Sequence, residues 1–234
     1  MPGRLRVRES PLTRHGTRVI VLAILGTAAY LVLHYQSLPW LLPVHFKLDG
    51  TPNGWQYRTI GRVFMPVFVQ LALAFALGGI AALLLSRGDQ GSPDAPDVKA
   101  AATAAEAVVL IAAIWVAFQA YAAVSLSRMW IREHGDLGTP YIAVELAGFV
   151  LTAVVGVRAQ ARLRRPQALP FVADHWRLGQ LYKNAENPAL FVPTRDGSRW
   201  TLNFGRPVAV ALLGIILIAG AVVPTVILVL ALRS

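Results

Sequence analysis

From Val63 to Leu85 the chain carries no charged residue. A helix needs roughly 20 mostly apolar residues to cross the hydrocarbon core of a bilayer, and in water such a run would have to be buried on every side. Four further segments are predominantly apolar: Val19–Tyr35, Ala104–Met129 despite Glu106 and Gln119, Tyr141–Val157, which is shorter and carries Glu145, and Val208–Leu232, the last bent at Pro224. Composition points the same way, with 56% hydrophobic and 15% charged residues in a chain of 234, where soluble domains hold about 25% charged. The expected fold class is an all-α integral membrane helical bundle of five transmembrane helices, with a small β-hairpin-containing cytoplasmic insert.

The formal net charge of +10 raises nucleic acid as a partner, but the distribution of the charges argues otherwise. With the N-terminus inside, sixteen of the 22 Lys and Arg residues fall on the inner side, as expected for cytoplasmic flanks of membrane helices. The charge is therefore an orientation signal: N-terminus cytoplasmic, C-terminus extracytoplasmic, no nucleic acid. The first apolar run ends in "LHYQSLPW", with no small-x-small cleavage pattern, so it is expected to remain as a membrane helix rather than leave as a signal peptide. There is no cysteine, which excludes disulfides and thiolate metal sites.

The organisation that follows is a basic cytoplasmic tail over 1–18, then two membrane helices over 19–86 enclosing an extracytoplasmic motif loop over 37–61. A Gly/Pro/Asp-rich linker covers 87–103, the third and fourth helices 104–157, a basic run and small β-rich domain 158–207, and the fifth helix 208–232. Within the insert, "FVPTRDGSRWTLNF" alternates around Asp196-Gly197, a hairpin signal because such a turn needs positive φ. Phe191–Arg195 and Arg199–Phe204 are its expected strands, with Trp176, Tyr182, Phe191, Trp200 and Phe204 as a small core and Asn184 and Asn203 capping turns. So small a segment buries little alone, so the insert should lean on helix ends or on a partner.

The outer loop "LPVHFKLDGTPNGWQYR" holds the residues with most chemical potential. His45 could join His34, Asp49, His134, Asp136 or Glu145 around a cation, but none of these has a helical ligand spacing to another, and Asp49 is separated from His45 by turn residues. No metal and no cofactor is expected. The alternative role for His45 is a hydrogen bond to loop backbone, with Pro43, Gly50, Pro52 and Gly54 shaping turns and Trp55 and Tyr57 as interfacial anchors. Inside the membrane, Glu106 and Glu145 stand near their helix starts, Gln119 is the central polar residue, and Gly148, Thr152 and Gly156 form a small-residue face suited to close helix packing. Ser125, Ser127 and Ser198 have no triad context, and no phosphate-cradling loop or metalloprotease motif occurs.

Leu42-Pro43-Val44-His45-Phe46, followed by Gly50, Pro52, Gly54 and Trp55, resembles an uncharacterised bacterial membrane domain that also opens the SdpI-type toxin-immunity and signalling proteins. Lys47 replaces the Asn usual there, and the match covers about residues 16–85. The insert resembles a second uncharacterised domain through Trp176, Gly179, Tyr182, Asn184, Pro188, Arg195, Gly197, Trp200 and Asn203. It departs at His175, where a second Asp is usual, and at Arg199, where a Gly precedes the Trp.

The resemblance implies a non-enzymatic role in immunity, sensing or signalling against a peptide toxin or envelope stress. His45, Phe46, Asp49, Gly50 and Trp55 are then the candidate recognition motif, and the insert residues meet a cytoplasmic protein. A second class is an accessory subunit of a larger membrane complex, a transporter or respiratory assembly. A third is a metal- or lipid-dependent membrane enzyme. The expected partners are the bilayer and a protein, either heteromeric or a second copy of the chain.

Overall fold

The computed structural model describes residues 10–47, 51–85, 96–132, 138–163 and 170–214. Four helices among them are long and apolar enough to cross a membrane, which marks the chain as a multi-pass membrane protein. They are α1 (Pro11–His34), α3 (Met65–Leu85), α4 (Pro96–Arg132) and α5 (Gly138–Arg162); α2 (Ile60–Val63) is a single turn before α3. Of the expected fifth span, residues 208–214 are described and are helical; the remainder lies outside the described residues.

Two helices start well before the apolar runs that announce them. α1 begins at Pro11 and α4 at Pro96, both with proline at the first helical position, where its missing N–H costs nothing and its φ is already helical. The Ala-rich stretch Ala100–Ala107 then carries α4 onward, since alanine is the best helix former. Residues 96–103, read above as linker, are therefore helix. Glu106 consequently stands about three turns into α4, not at its start, and is buried.

The contacts divide into two units: Pro11–Gly78 with Val109–Val157, and Gly79–Val108 with Met1–Ser10 and Arg158–Ser234. In the first unit, the segment read as a loop is a β-hairpin, β1 (Leu41–Phe46) antiparallel to β2 (Pro52–Tyr57). Register shifts flank His45, which pairs with Gly54, and such irregularities bend a strand and add twist. Leu42 of β1 is fully buried in a cluster with Leu31, Leu38, Val63, Val67, Met129 and Trp130.

Polar links between the helices of this unit come from residues other than those expected. Gln70, not Gln119, is the buried interhelical link: its Nε2 donates to Thr27 Oγ1 (3.0 Å) on α1 and to the Val116 carbonyl (2.9 Å) on α4. Among the described glycines of the long helices, the closest approach is at Gly16, where a Cβ would lie 2.8 Å from Val109 Cγ1. Gly148 meets Trp115 at ordinary van der Waals distance, Gly156 meets nothing within 4 Å, and Thr152 Oγ1 accepts from the Trp115 indole (3.1 Å). Close backbone approach is what small residues provide in membrane bundles, and here α1 uses it more than α5.

The second unit holds the insert. β3 (Trp176–Arg177) pairs with β4 (Leu181–Tyr182), and β5 (Phe191–Pro193) with β6 (Trp200–Leu202). The β5–β6 turn places Gly197 at φ 67°, as Asp196-Gly197 requires, with strands shorter than the sequence led one to expect.

Candidate functional site

The outer motif and the insert motif are the two constellations the sequence singles out, and each is built around a different polar anchor. In the hairpin, Arg58 does the anchoring. Its Nη1 donates to the carbonyls of Tyr35 (3.0 Å) and Leu38 (2.5 Å), and its guanidinium lies 5.0 Å from the Tyr35 ring centroid. Those carbonyls follow the end of α1, where the last C=O groups of a helix have no intrahelical donor. The Arg58 backbone N–H also bonds the Trp40 carbonyl (2.7 Å). From α4, Trp130 Nε1 donates to the Pro43 carbonyl (2.8 Å), and Arg62 Nη1 bonds the Tyr57 carbonyl (2.6 Å). The hairpin is thus tied at both strands to helices of its unit.

This arrangement explains why His45 and Gly54 occur together. A Cβ on Gly54 would lie 2.8 Å from His45 Cδ2 and 3.0 Å from His45 Cβ, so the imidazole occupies the space that a side chain at position 54 would need. The hydrogen bond from His45 to loop backbone expected from the sequence is not found among the described residues; the ring is exposed and rests on the bare backbone of β2. Phe46 packs against the buried cluster. Asp49 and Gly50 lie outside the described residues, as do His134 and Asp136. His34 Nδ1 is engaged by the Tyr30 carbonyl one turn back (2.8 Å), and the ring stacks on Tyr30.

The outward surface of the hairpin is aromatic. Trp40, Trp55 and Tyr57 are all exposed, with Trp40 and Tyr57 in tilted contact at 5.9 Å. Rings of this kind collect at membrane–water boundaries and also at recognition surfaces. Among the described residues no three His, Asp or Glu side chains converge as a metal site would require.

In the insert the anchor is Asn203, wholly buried. Its Nδ2 donates to the carbonyls of Asn184 (2.9 Å), Asn187 (3.0 Å) and Ala189 (3.1 Å), and its Oδ1 accepts from the N–H groups of Asn184 and Gly205 (3.0 Å each). One side chain, its two N–H hydrogens shared among three carbonyls, thereby engages four backbone groups of the loop between β4 and β5 and ties them to the Gly205 N–H beyond β6. Asn184 Oδ1 in turn accepts from the N–H groups of Glu186 and Asn187, the Asx-type turn expected of it. Gly205 is required by crowding, since a Cβ there would lie 2.4 Å from the Asn184 carbonyl carbon.

The insert's core is smaller and more polar than the aromatic cluster expected from sequence. Tyr182, Leu190, Val192 and Asn203 are buried, whereas Trp176, Phe191, Trp200 and Phe204 are half-buried. Arg195 lies over the Phe171 ring at 4.4 Å, a cation–π contact within the insert. Asp196 accepts from Thr194 Oγ1 (2.6 Å) and from the Ser198 hydroxyl (2.6 Å) and N–H (3.1 Å). These donors hold its carboxyl well below the usual carboxylate range, the Ser198 hydroxyl contributing most. Gly179 follows Leu178, which adopts φ 50° while 92% exposed.

Arg58, Arg62, Trp130, Gln70 and Gly16 were not singled out in the sequence. Arg58 and Arg62 stand within or beside the motif and read there only as flanking charge; the others act across 80 residues or more, or across helices, and no local spacing announces them. No curated protein and no solved structure matches the chain. Residues 22–69, from the middle of α1 through the hairpin to the start of α3, match the family model of a domain of unknown function, DUF1648.

Proposed function

We propose that the chain is a non-enzymatic membrane sensor or immunity factor, with its N-terminus cytoplasmic and its C-terminus extracytoplasmic. In this reading the β1–β2 hairpin meets a peptide toxin or an envelope-stress signal from outside, and the insert meets a cytoplasmic protein. The observation that carries it is the hairpin's construction. It is bonded to the helices through Arg58 and Trp130 while presenting exposed Trp40, Trp55 and Tyr57. A pre-ordered aromatic surface can bind with little further loss of conformational freedom.

The test is survival of cells challenged with membrane-active peptide toxins. His45→Ala and Trp55→Ala should leave protein abundance unchanged and lower protection about ten-fold or more, the scale of one interfacial anchor worth 1–2 kcal/mol. Unaltered protection at unaltered abundance would remove the outer recognition role.

An accessory subunit of a larger membrane complex is the second reading, and α5 favours it. Only 6% of its apolar span is buried, against 39% for α4, leaving apolar surface such as Leu146, Phe149, Val150 and Val157 for lipid or for a partner helix. Purification in mild detergent separates the readings: a stoichiometric heteromeric partner supports the subunit, a lone chain or homodimer the sensor.

A further inference from the structure

The turn that joins β3 to β4 carries a residue its backbone does not favour. Leu178 and Gly179 both have positive φ, 50° and 73°, and the Gln180 N–H closes the turn on the Arg177 carbonyl (3.2 Å). Asn, Asp or Gly suits the first of these positions, because a bulky side chain is strained in the left-handed region. Leucine bears that strain here and is also 92% exposed. A single exposed apolar residue is ordinary on a protein surface. An apolar residue held in strain where a polar one fits better calls for a contact that uses its side chain.

The flanking strands show which face that contact takes. Trp176 pairs with Tyr182 and Arg177 with Leu181, and paired residues share a face that alternates along the strand. The Trp176 and Tyr182 rings meet edge to face at 5.3 Å, and Tyr182 is buried, so theirs is the inner face of the insert. Arg177 and Leu181 are exposed on the other. Lys183, two residues beyond Leu181, is exposed too, and its N–H bonds the His175 carbonyl (2.8 Å), carrying the pairing one step further. The outward face is therefore an apolar tip, Leu178 and Leu181, with Arg177 and Lys183 beside and behind it. No acidic residue occurs from Trp176 to Lys183.

Charge and tether select the partner. An apolar tip collared by long cationic side chains matches a bilayer surface. There the apolar groups enter the acyl boundary, and the Lys and Arg heads rise to anionic phosphates. The bilayer is also what the insert cannot leave. α5, long and apolar enough to cross it, ends at Arg162, and the insert is described from residue 170. The chain between reaches at most about 30 Å. A weak affinity then suffices, because the second contact of a tethered module is intramolecular.

We propose that the β3–β4 turn docks on the anionic bilayer surface, with Leu178 and Leu181 entering the acyl boundary and Arg177 and Lys183 contacting lipid phosphates. This docking is independent of the sensor role and of orientation, since the end of α5 lies at a membrane face either way.

Because the chain has no cysteine, Gln180→Cys gives a unique thiol beside the tip, at an exposed residue. The full-length variant, carrying an environment-sensitive fluorophore on that thiol, is reconstituted into vesicles of phosphatidylcholine with or without phosphatidylglycerol. Bromine on the acyl chains near the glycerol end quenches the fluorophore on contact. Quenching is expected in the vesicles that contain phosphatidylglycerol. Adding Leu178→Asn should lower the docked-to-free ratio about ten-fold, the scale of one leucine side chain returned to water. Asparagine tolerates the left-handed region, so this variant should melt no lower than the parent, and its loss of docking is not a loss of folding. Adding Arg177→Gln or Lys183→Gln should lower the ratio about five-fold each. The same fluorophore at Glu186→Cys, in the loop before β5, should stay unquenched.

No quenching beside the tip, quenching that Leu178→Asn leaves unchanged, or equal quenching at both label positions overturns the proposal. Equal quenching with and without phosphatidylglycerol overturns docking on an anionic surface. A fluorophore shielded from water in native membrane fragments but unquenched in the vesicles assigns the tip to a protein partner and overturns the lipid contact.

Discussion

At the scale of single residues, the outer motif contains a steric pair. His45 and Gly54 face each other across the hairpin, and the imidazole fills the space a Cβ at 54 would take. Placing a methyl group there forces the ring to move, and overpacking of this kind costs typically 1–3 kcal/mol. Gly54→Ala should therefore destabilise the hairpin by about 1–2 kcal/mol, while His45→Ala alone should cost little, since the ring is exposed. Combining the two should recover most of the loss. The measurement is a double-mutant cycle on thermal unfolding in detergent, and a coupling near zero would show that the ring does not depend on the bare backbone beneath it. His45 was legible as special from the sequence, and so was Gly54 as a turn residue. Their contact was not, because reading it requires the register of a hairpin whose strands contain Pro43, Pro52 and Gly54, residues that argue against a strand.

At the scale of elements, legibility followed the strength of local signals. The β5–β6 hairpin was evident because Asp196-Gly197 both demands and supplies a particular turn. The β1–β2 connection also contains an Asp-Gly pair, Asp49-Gly50, but Pro43, Pro52 and Gly54 in the flanking segments argue against strands. Those strands are stabilised by Arg58 and Trp130 from outside the ladder. The spans of α1 and α4 were clear in their apolar centres and hidden at their starts, where Pro11 and Pro96 were the available clues. The β5–β6 turn also has a distinct acid response. The donors on Asp196 hold its carboxyl below the usual range in the folded chain. A depressed folded-state value means the turn's stabilisation is fully present above the unfolded carboxylate value of about 3.9. It is lost as pH falls through the depressed value. Asp196 should thus remain ionised at pH 4, where an unperturbed carboxyl is about half protonated. Ser198→Ala removes the leading donor and should move the titration upward, toward the ordinary value. Side-chain carboxyl NMR shifts of the full-length protein against pH check both statements, and an Asp196 that titrates near pH 4 in the parent chain contradicts them.

At the scale of the molecule, the sequence carried the membrane class and, through its charge asymmetry, an orientation, but not the contacts that join distant segments. Glu106 and Arg162 are 56 residues apart, and Gln70 reaches Val116 across 46; each is an ordinary polar residue locally and gains meaning only from which helices pack. Orientation can be tested directly, because the chain contains no cysteine and any introduced thiol is unique. Asn53 on β2 and Glu186 in the insert are both exposed, with side chains that make no hydrogen bond among the described residues, so Asn53→Cys and Glu186→Cys should leave the fold intact. With the N-terminus inside, a membrane-impermeant maleimide should label Asn53→Cys in intact cells and Glu186→Cys only after permeabilisation. The sixteen inner Lys and Arg residues make this the expected pattern. The inverted pattern would place the hairpin in the cytoplasm, where it could not receive an external toxin. The external sensing role would then fail, whereas a subunit role, which does not depend on which face the hairpin occupies, would stand, so the same two thiols separate the two readings.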